Sequence, residues 1–123
     1  MPLVLIVDDS PTEVHVLSGY LEKHGFETAA AADGREGIDK ARELRPSLIL
    51  MDVVMPGMNG FQATRELARD PQTASIPVLM VTTKGLETDK IWGMRQGAVD
   101  YLVKPVTEAQ LVDKVRAALG EHD

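Results

Sequence analysis

Three aspartates and one lysine stand where apolar runs of this chain end. Asp8 and Asp9 follow LVLIV, Asp52 follows LILM, and Lys104 follows DYLV and precedes Pro105. Thr82 and Thr83 close a further run, PVLMV. If these ends converge, three carboxylates would repel one another and raise each other's pKa until a cation neutralised them. An all-oxygen acidic site without His or Cys suits Mg²⁺, which takes a few carboxylates, several waters and a phosphate oxygen. Lys104 adds a compact positive charge suited to a phosphoryl oxygen or to Asp52 itself. A Thr82 hydroxyl can donate to an acceptor that exists only when a phosphoryl group is present. Carboxylates attack phosphorus to give aspartyl phosphates, with metal and lysine stabilising the transferring charge. Asp52, set at a run's end and followed by the Pro56-Gly57 break, is therefore the candidate phosphoacceptor.

For these residues to meet, the runs must be strands of one sheet. Residues 3–7, 26–31, 47–51, 77–81 and 100–103 read as five short strands, three of them apolar almost throughout, as in a parallel sheet covered on both faces. Helical patterns alternate with them. Ser10 offers an N-cap with Pro11 at the first helical position and Glu13 three residues after the cap; Val14, Leu17 and Leu21 form the core stripe, and Gly25 stops the helix. DGRE at Asp33 repeats the capping pattern before a helix that ends ahead of Pro46, and TEAQ at Thr107 repeats it before Leu111, Val115 and Leu119. Helices at 61–69 and 86–96 complete five β/α units. Short alternating connections imply right-handed crossovers and an open, doubly wound parallel sheet, which binds ligands outside the carboxyl ends of its strands.

Composition limits what else the chain can be. Its 123 residues suit one domain, taken as spanning 1–123. No apolar run approaches the roughly 18 residues of a membrane span, and the first ten residues lack the basic start of a signal peptide. The absence of cysteine suits a reducing cytoplasm. A net charge of −6 argues against nucleic acid as the main partner and favours a protein or a cation.

Taken together, VDDS at 7–10, LILMDVVMPGMNG at 48–60, VTTK at 81–84 and DYLVKP at 100–105 closely resemble the receiver domains of bacterial two-component response regulators, over essentially the whole chain. The resemblance implies a CheY-like, flavodoxin-like α/β fold with strand order 2-1-3-4-5 and five helices. It implies Asp52 as the phosphorylated residue, Asp9 as a direct Mg²⁺ ligand, Asp8 as an acid acting largely through metal-bound water, and the Val54 carbonyl as a further ligand. Thr82, with Thr83 beside it, resembles the switch hydroxyl, Lys104 the phosphoryl-contacting lysine, Tyr101 the switch aromatic, and Lys104-Pro105 a cis peptide. The implied partners are a sensor histidine kinase or its phosphotransfer domain, which supplies a phosphohistidine, and a downstream protein target bound through a surface, with a monomer or a weak phosphorylation-dependent dimer. More narrowly, VDDSPTE, LEKHGFE, MPGMNGFQATRELARD and IPVLMVTTKGLETDKIWGMRQGA look most like PilH-type stand-alone receivers of the chemosensory systems that control type IV pili and twitching motility. Only GEHD follows the last helix, so no output domain is expected and the switched surface must be the output.

Blander readings stand beside these. An Asp-Asp pair after a strand is ordinarily a cap or a solvated loop, Lys-Pro a loop before a helix, and two threonines ordinary strand formers. Only their joint spacing promotes them. Pro56-Gly57 and Gly60 read as turn chemistry. His15, His24 and His122 are too scattered for a metal site, and Met51, Met55, Met58, Met80 and Met94 read as core and loop filler. Ile91, Met94 and Ala98 share one helix face, which leaves Trp92 off the stripe and, with Tyr101, a candidate partner surface. A phosphate sink for a shared kinase is a variant of the same reading. A haloacid-dehalogenase-type phosphatase would want a second acid two residues after Asp52, where Val54 stands; a flavodoxin-like cofactor binder would want a glycine and hydroxyl loop where Asp8 and Asp9 stand.

Overall fold

The computed structural model describes residues 2–83 and 87–120, the side chains of 87–89 excepted. The expected start of the fourth helix at Leu86, and Lys84 and His122, lie outside the described residues. Strands β1 (Leu3–Val7), β2 (Glu27–Ala31), β3 (Leu48–Asp52), β4 (Val78–Thr82) and β5 (Asp100–Val103) alternate with helices α1 (Pro11–Lys23), α2 (Gly34–Leu44), α3 (Gly60–Arg69), α4 (Glu87–Gln96) and α5 (Glu108–Ala118). The strands form one parallel sheet in the order β2-β1-β3-β4-β5. The expected α/β architecture and strand order are both present.

Strand periodicity explains the two cores. In β1, β3 and β4, Leu5, Val7, Ile49, Met51, Val78 and Met80 face the α2 and α3 side and pack with Ile38, Ala41, Ala63 and Leu67. Their neighbours Val4, Ile6, Leu48, Leu50, Leu79 and Val81 face the other side and pack with Leu17, Leu21, Leu111 and Val115 of α1 and α5. Both faces of the central strands are dry, so these strands cannot alternate with polar residues, and the sequence shows near-continuous apolar runs.

The helix starts differ in a way that matters for the site. Asn59 with Gln62 and Thr107 with Gln110 form reciprocal capping boxes on α3 and α5. At α1 the Ser10 hydroxyl accepts the Glu13 N–H at 3.3 Å, but the Ser10 N–H donates to Asp8 Oδ1 at 2.9 Å, so Glu13 has no cap donor to reach back for. At α2 Asp33 caps the Glu36 N–H at 2.8 Å, while the Glu36 carboxylate reaches one residue further, to the Ala32 N–H at 2.6 Å. The helix then ends at Arg45, whose φ of 47° is left-handed, immediately before Pro46.

One expectation on α4 is corrected. Ile91 and Met94 do not share a buried face with Ala98: they are 45% and 47% exposed, and Gly93 is buried instead. A Cβ on Gly93 would lie 3.0 Å from Met80 Cγ, so α4 passes too near β4 for a side chain, and its bulky residues turn outward. Met94 is accordingly surface, while Met51, Met55 and Met80 are core and Met58 packs against it.

Gly60 also differs from a simple turn glycine. A Cβ there would fall 2.1 Å from the Asp52 carbonyl oxygen, because the loop after β3 folds back and the Gly60 N–H bonds to Val53 O at 2.9 Å. Gly60→Ala is expected to destabilise the fold by about 3 kcal/mol or more, since backbone must move. Gly19→Ala, in exposed α1 with nothing within 4 Å of the new Cβ, is expected to stabilise by about 0.5–1 kcal/mol through helix propensity. Urea unfolding of the two variants checks both; shifts of the same sign would contradict the packing described for residue 60.

Candidate functional site

Parallel strands all point one way, so the carboxyl ends of β1, β3, β4 and β5 lie along one edge of the sheet. The register aligns them: Val7 pairs with Met51, Asp52 with Val81, and Thr82 with Val103. Asp8 and Asp9 leave β1, Asp52 ends β3, Thr82 ends β4 and Lys104 follows β5. The Lys104 peptide is tied in by its N–H to Thr82 O at 2.7 Å, and the Lys104-Pro105 bond is cis, as expected.

Lys104 Nζ reaches back between two acids, 3.1 Å from Asp8 Oδ2 and 3.3 Å from Asp52 Oδ1. Asp8 and Asp52 are 4% and 6% exposed, whereas Asp9 is open to solvent. Carboxylate oxygens of Asp8, Asp9 and Asp52 all lie within 4.8 Å of one another, the sole such acidic grouping among the described residues. One lysine is therefore paired with two nearly dry acids, and a third, exposed acid stands close to both of them. Burying unbalanced charge is costly unless partners compensate, so the arrangement leaves a place for further positive charge.

The titration of Asp52 reports this imbalance. Burial first, then repulsion from Asp8, pushes its carboxyl up to about 6, against the opposing pull of Lys104. Burial works against the Lys104 ammonium, but its bonds and charge contacts with Asp8 and Asp52 outweigh that, and its pKa is raised. A cation beside the acids would act on Asp52 in the same sense as Lys104 and with more charge.

The donor set fits a hard divalent cation. It is all carboxylate oxygen, from Asp8, Asp9 and Asp52, and Val54 in the loop that follows β3 is exposed to solvent. Two Mg–O bonds span about 4 Å, so acids this close can bind directly or through one water. Next to the acids a cleft of about 430 Å³ runs between α1 and β2, walled by Val14, His15, Ser18 and Glu36 and opening onto Asp8 and Asp9. Sequence reading gave His15 and Glu36 no part in the site; nothing in their spacing distinguishes them, because the cleft is made by the crossing of α1 over the sheet edge.

The remaining candidates sit around this centre. Thr82 is buried at 4% exposure beside Lys104, and Thr83 is exposed. Tyr101 is half-buried at the sheet edge, its ring centroid 4.6 Å from Lys90 Nζ and 5.6 Å from Lys114 Nζ. Trp92 is 54% exposed, but it does not share a hollow with Tyr101: Tyr101 lines one with Lys90, Ile91, Met94 and Arg95, and Trp92 lines another with residues of α3.

Comparison with known proteins agrees with this geometry. Residues 4–116 match the response regulator receiver domain family. The chain is 56% identical to protein PilH of Pseudomonas aeruginosa over 98% of its own length and 99% of that protein. Other relatives, 42% and 39% identical, are DNA-binding regulators of which the chain spans about half, 51%. Among solved structures, the chemotaxis protein CheY4 of Vibrio cholerae superposes with a TM-score of 0.91 at 36% identity, covering 96% of this chain and 98% of that one. The receiver domain of the sensor histidine kinase PA1611 of Pseudomonas aeruginosa, described with a magnesium ion coordinated in its active site cleft, superposes with a TM-score of 0.90 at 29% identity, covering 98% of each chain. With its five-stranded parallel sheet and its acids gathered at the carboxyl edge, this chain belongs to the response regulator receiver family, the phosphorelay switches of two-component signalling.

Proposed function

We propose that Asp52 is the phosphoacceptor of this receiver and that Mg²⁺, held by Asp9, Asp52 and the Val54 carbonyl with Asp8 acting through bound water, completes the site. The observation that carries this reading is the grouping of three carboxylates at the edge of the sheet, two of them, Asp8 and Asp52, paired with Lys104. When bound by these residues, the metal would supply positive charge that favours ionised Asp52 and offsets the charge on phosphoryl oxygens. An Asp52 carboxylate oxygen attacks phosphorus in line, the N–P bond to the donor imidazole breaks, and the imidazole keeps the electron pair and takes a proton from solvent. Lys104, already 3.3 Å from Asp52, shifts its contact to a phosphoryl oxygen, and the Thr82 hydroxyl donates to another, with Thr83 alongside.

The added charge of about −1.5 to −2 is the signal. Thr82 and Lys104 move toward it, Tyr101 turns inward between α4 and β5, and the face around it changes the partners it accepts. The donor is a phosphohistidine on a sensor kinase or phosphotransfer domain. Residues 1–123 act as a receiver domain in the cytoplasm, and the extended likeness to PilH favours a chemosensory system governing type IV pili and twitching motility. Its own phosphorylation and dephosphorylation are the only reactions assigned to it.

Intact mass after incubation with acetyl phosphate tests the acceptor. One phosphoryl group, acid-stable and base-labile, is expected on the wild type with Mg²⁺ and none on Asp52→Asn; an adduct retained in the variant would mean that another residue accepts it.

Stability gives an independent check, with its sign fixed by the raised pKa. At about pH 3 and below Asp52 is protonated in both folded and unfolded chains and costs nothing; from there to about 6 the unfolded chain loses its proton first, so stability falls as pH rises. By pH 7.5 the penalty is about 3 kcal/mol. Without metal, Asp52→Asn is therefore expected to be more stable than wild type at pH 7.5 and to approach it at about pH 3, and Mg²⁺ is expected to stabilise the wild type more than the variant. Thermal unfolding across that range reads both; a variant less stable than wild type at pH 7.5 would contradict the assigned electrostatics.

A further inference from the structure

Trp92 stands on the outer side of α4 at the mouth of a groove between α4 and α3. The described residues that line it are Asn59, Phe61, Gln62, Arg65, Trp92 and Gln96. It is separate from the acidic site and from the Tyr101 hollow on the opposite side of α4. Its volume, about 210 Å³, is below that of sites for drug-sized molecules and cofactors, but it suits a single bulky side chain presented by another protein.

The charge of this groove is opposite to that of the chain. The whole sequence carries −6, yet no described acid lines the groove, and its one charged residue is Arg65. Arg65 has no ion-pair partner among the described residues, and the same holds for Arg69, one turn further along the exposed face of α3, whereas the neighbouring Glu66 is engaged by Arg35 at 3.4 Å. An unpaired arginine beside a half-exposed tryptophan and a ring of amides is the composition of an interface centre, where Trp and Arg dominate and Lys and Asp are depleted.

We infer that the Arg65–Trp92 groove between α3 and α4 is a docking site for an acidic segment of a partner protein, which places an apolar side chain against Trp92 and carboxylates against Arg65 and Arg69. A second copy of this chain is disfavoured because its net charge would repel at every approach other than one narrowly aligned with these arginines. The site does not depend on Asp52 being the phosphoacceptor, and it gives the protein a contact that persists whichever state the Tyr101 face adopts.

Trp92 is the single tryptophan, so its emission reports on the groove alone. The probe is a synthetic peptide carrying one leucine flanked by glutamates, with a lysine-flanked peptide of the same length for comparison. The acidic peptide is expected to shift Trp92 emission to the blue in a saturable manner, more weakly at high salt, while the lysine peptide leaves it unchanged. Arg65→Glu is expected to weaken the acidic peptide at least about tenfold. Lys23→Glu alters net charge equally at a remote exposed position and is expected to leave affinity within about twofold. Equal loss in the two variants would reduce the effect to net charge and overturn the site. So would an unmoved emission spectrum, or a blue shift that grows with protein concentration alone, which would assign the groove to self-association.

Discussion

The Lys104 ammonium, 3.1 Å from Asp8 and 3.3 Å from Asp52, is the contact on which the rest of the site depends. Without a cation between them, two nearly dry carboxylates at adjacent strand ends would drive each other toward the neutral acid. With it, they remain close and only partly compensated. That residual imbalance is useful: a fully neutralised trio would have no call on a metal, and an uncompensated one would not fold with its acids ionised. The fold tolerates the cost because the two cores on either side of the sheet are dry and continuous.

The position of that lysine is set by backbone, not by side-chain reach alone. Its N–H is held by Thr82 O, its peptide to Pro105 is cis, and Thr107 begins α5 with a reciprocal cap two residues later. On the opposite side of the site, Asp8 is fixed by its own N–H to Ala31 O and by accepting the Ser10 N–H, so the acid is also part of the start of α1. Asp52 is held from beneath by the loop that returns to Gly60. Each charged group is thus anchored to a different element, and any rearrangement of charge between them pulls on β4, β5 and the helices that follow.

Much of this was legible in the amino-acid order. The apolar runs before Asp8, Asp52 and Thr82 read as buried strands, and the Ser10, Asp33 and Thr107 caps mark helix starts soon after the first, second and fifth strands, so a parallel sheet with its acids at one edge follows from the alternation. What was not legible depends on close approach. Periodicity places Ile91 and Met94 inward on α4, yet the buried position is Gly93, because the distance between α4 and Met80 decides the face and no residue pattern encodes a distance. Gly60 reads as a turn for the same reason, and the cleft of His15 and Glu36 arises from how α1 crosses the edge of the sheet. Trp92 was visible as an exposed aromatic, but its separation from Tyr101 by the thickness of a helix was not.

The most direct measurement is a carbon-13 titration of the Asp52 carboxyl, followed by pH with and without Mg²⁺. Burial of Asp52 and its closeness to Asp8, only partly offset by Lys104, give a midpoint near 6 in the metal-free protein and a clear downward displacement when Mg²⁺ is added. A midpoint in the ordinary aspartate range near 3.8 without metal, or one that Mg²⁺ leaves unmoved, would contradict the electrostatic coupling from which the function of this site is argued.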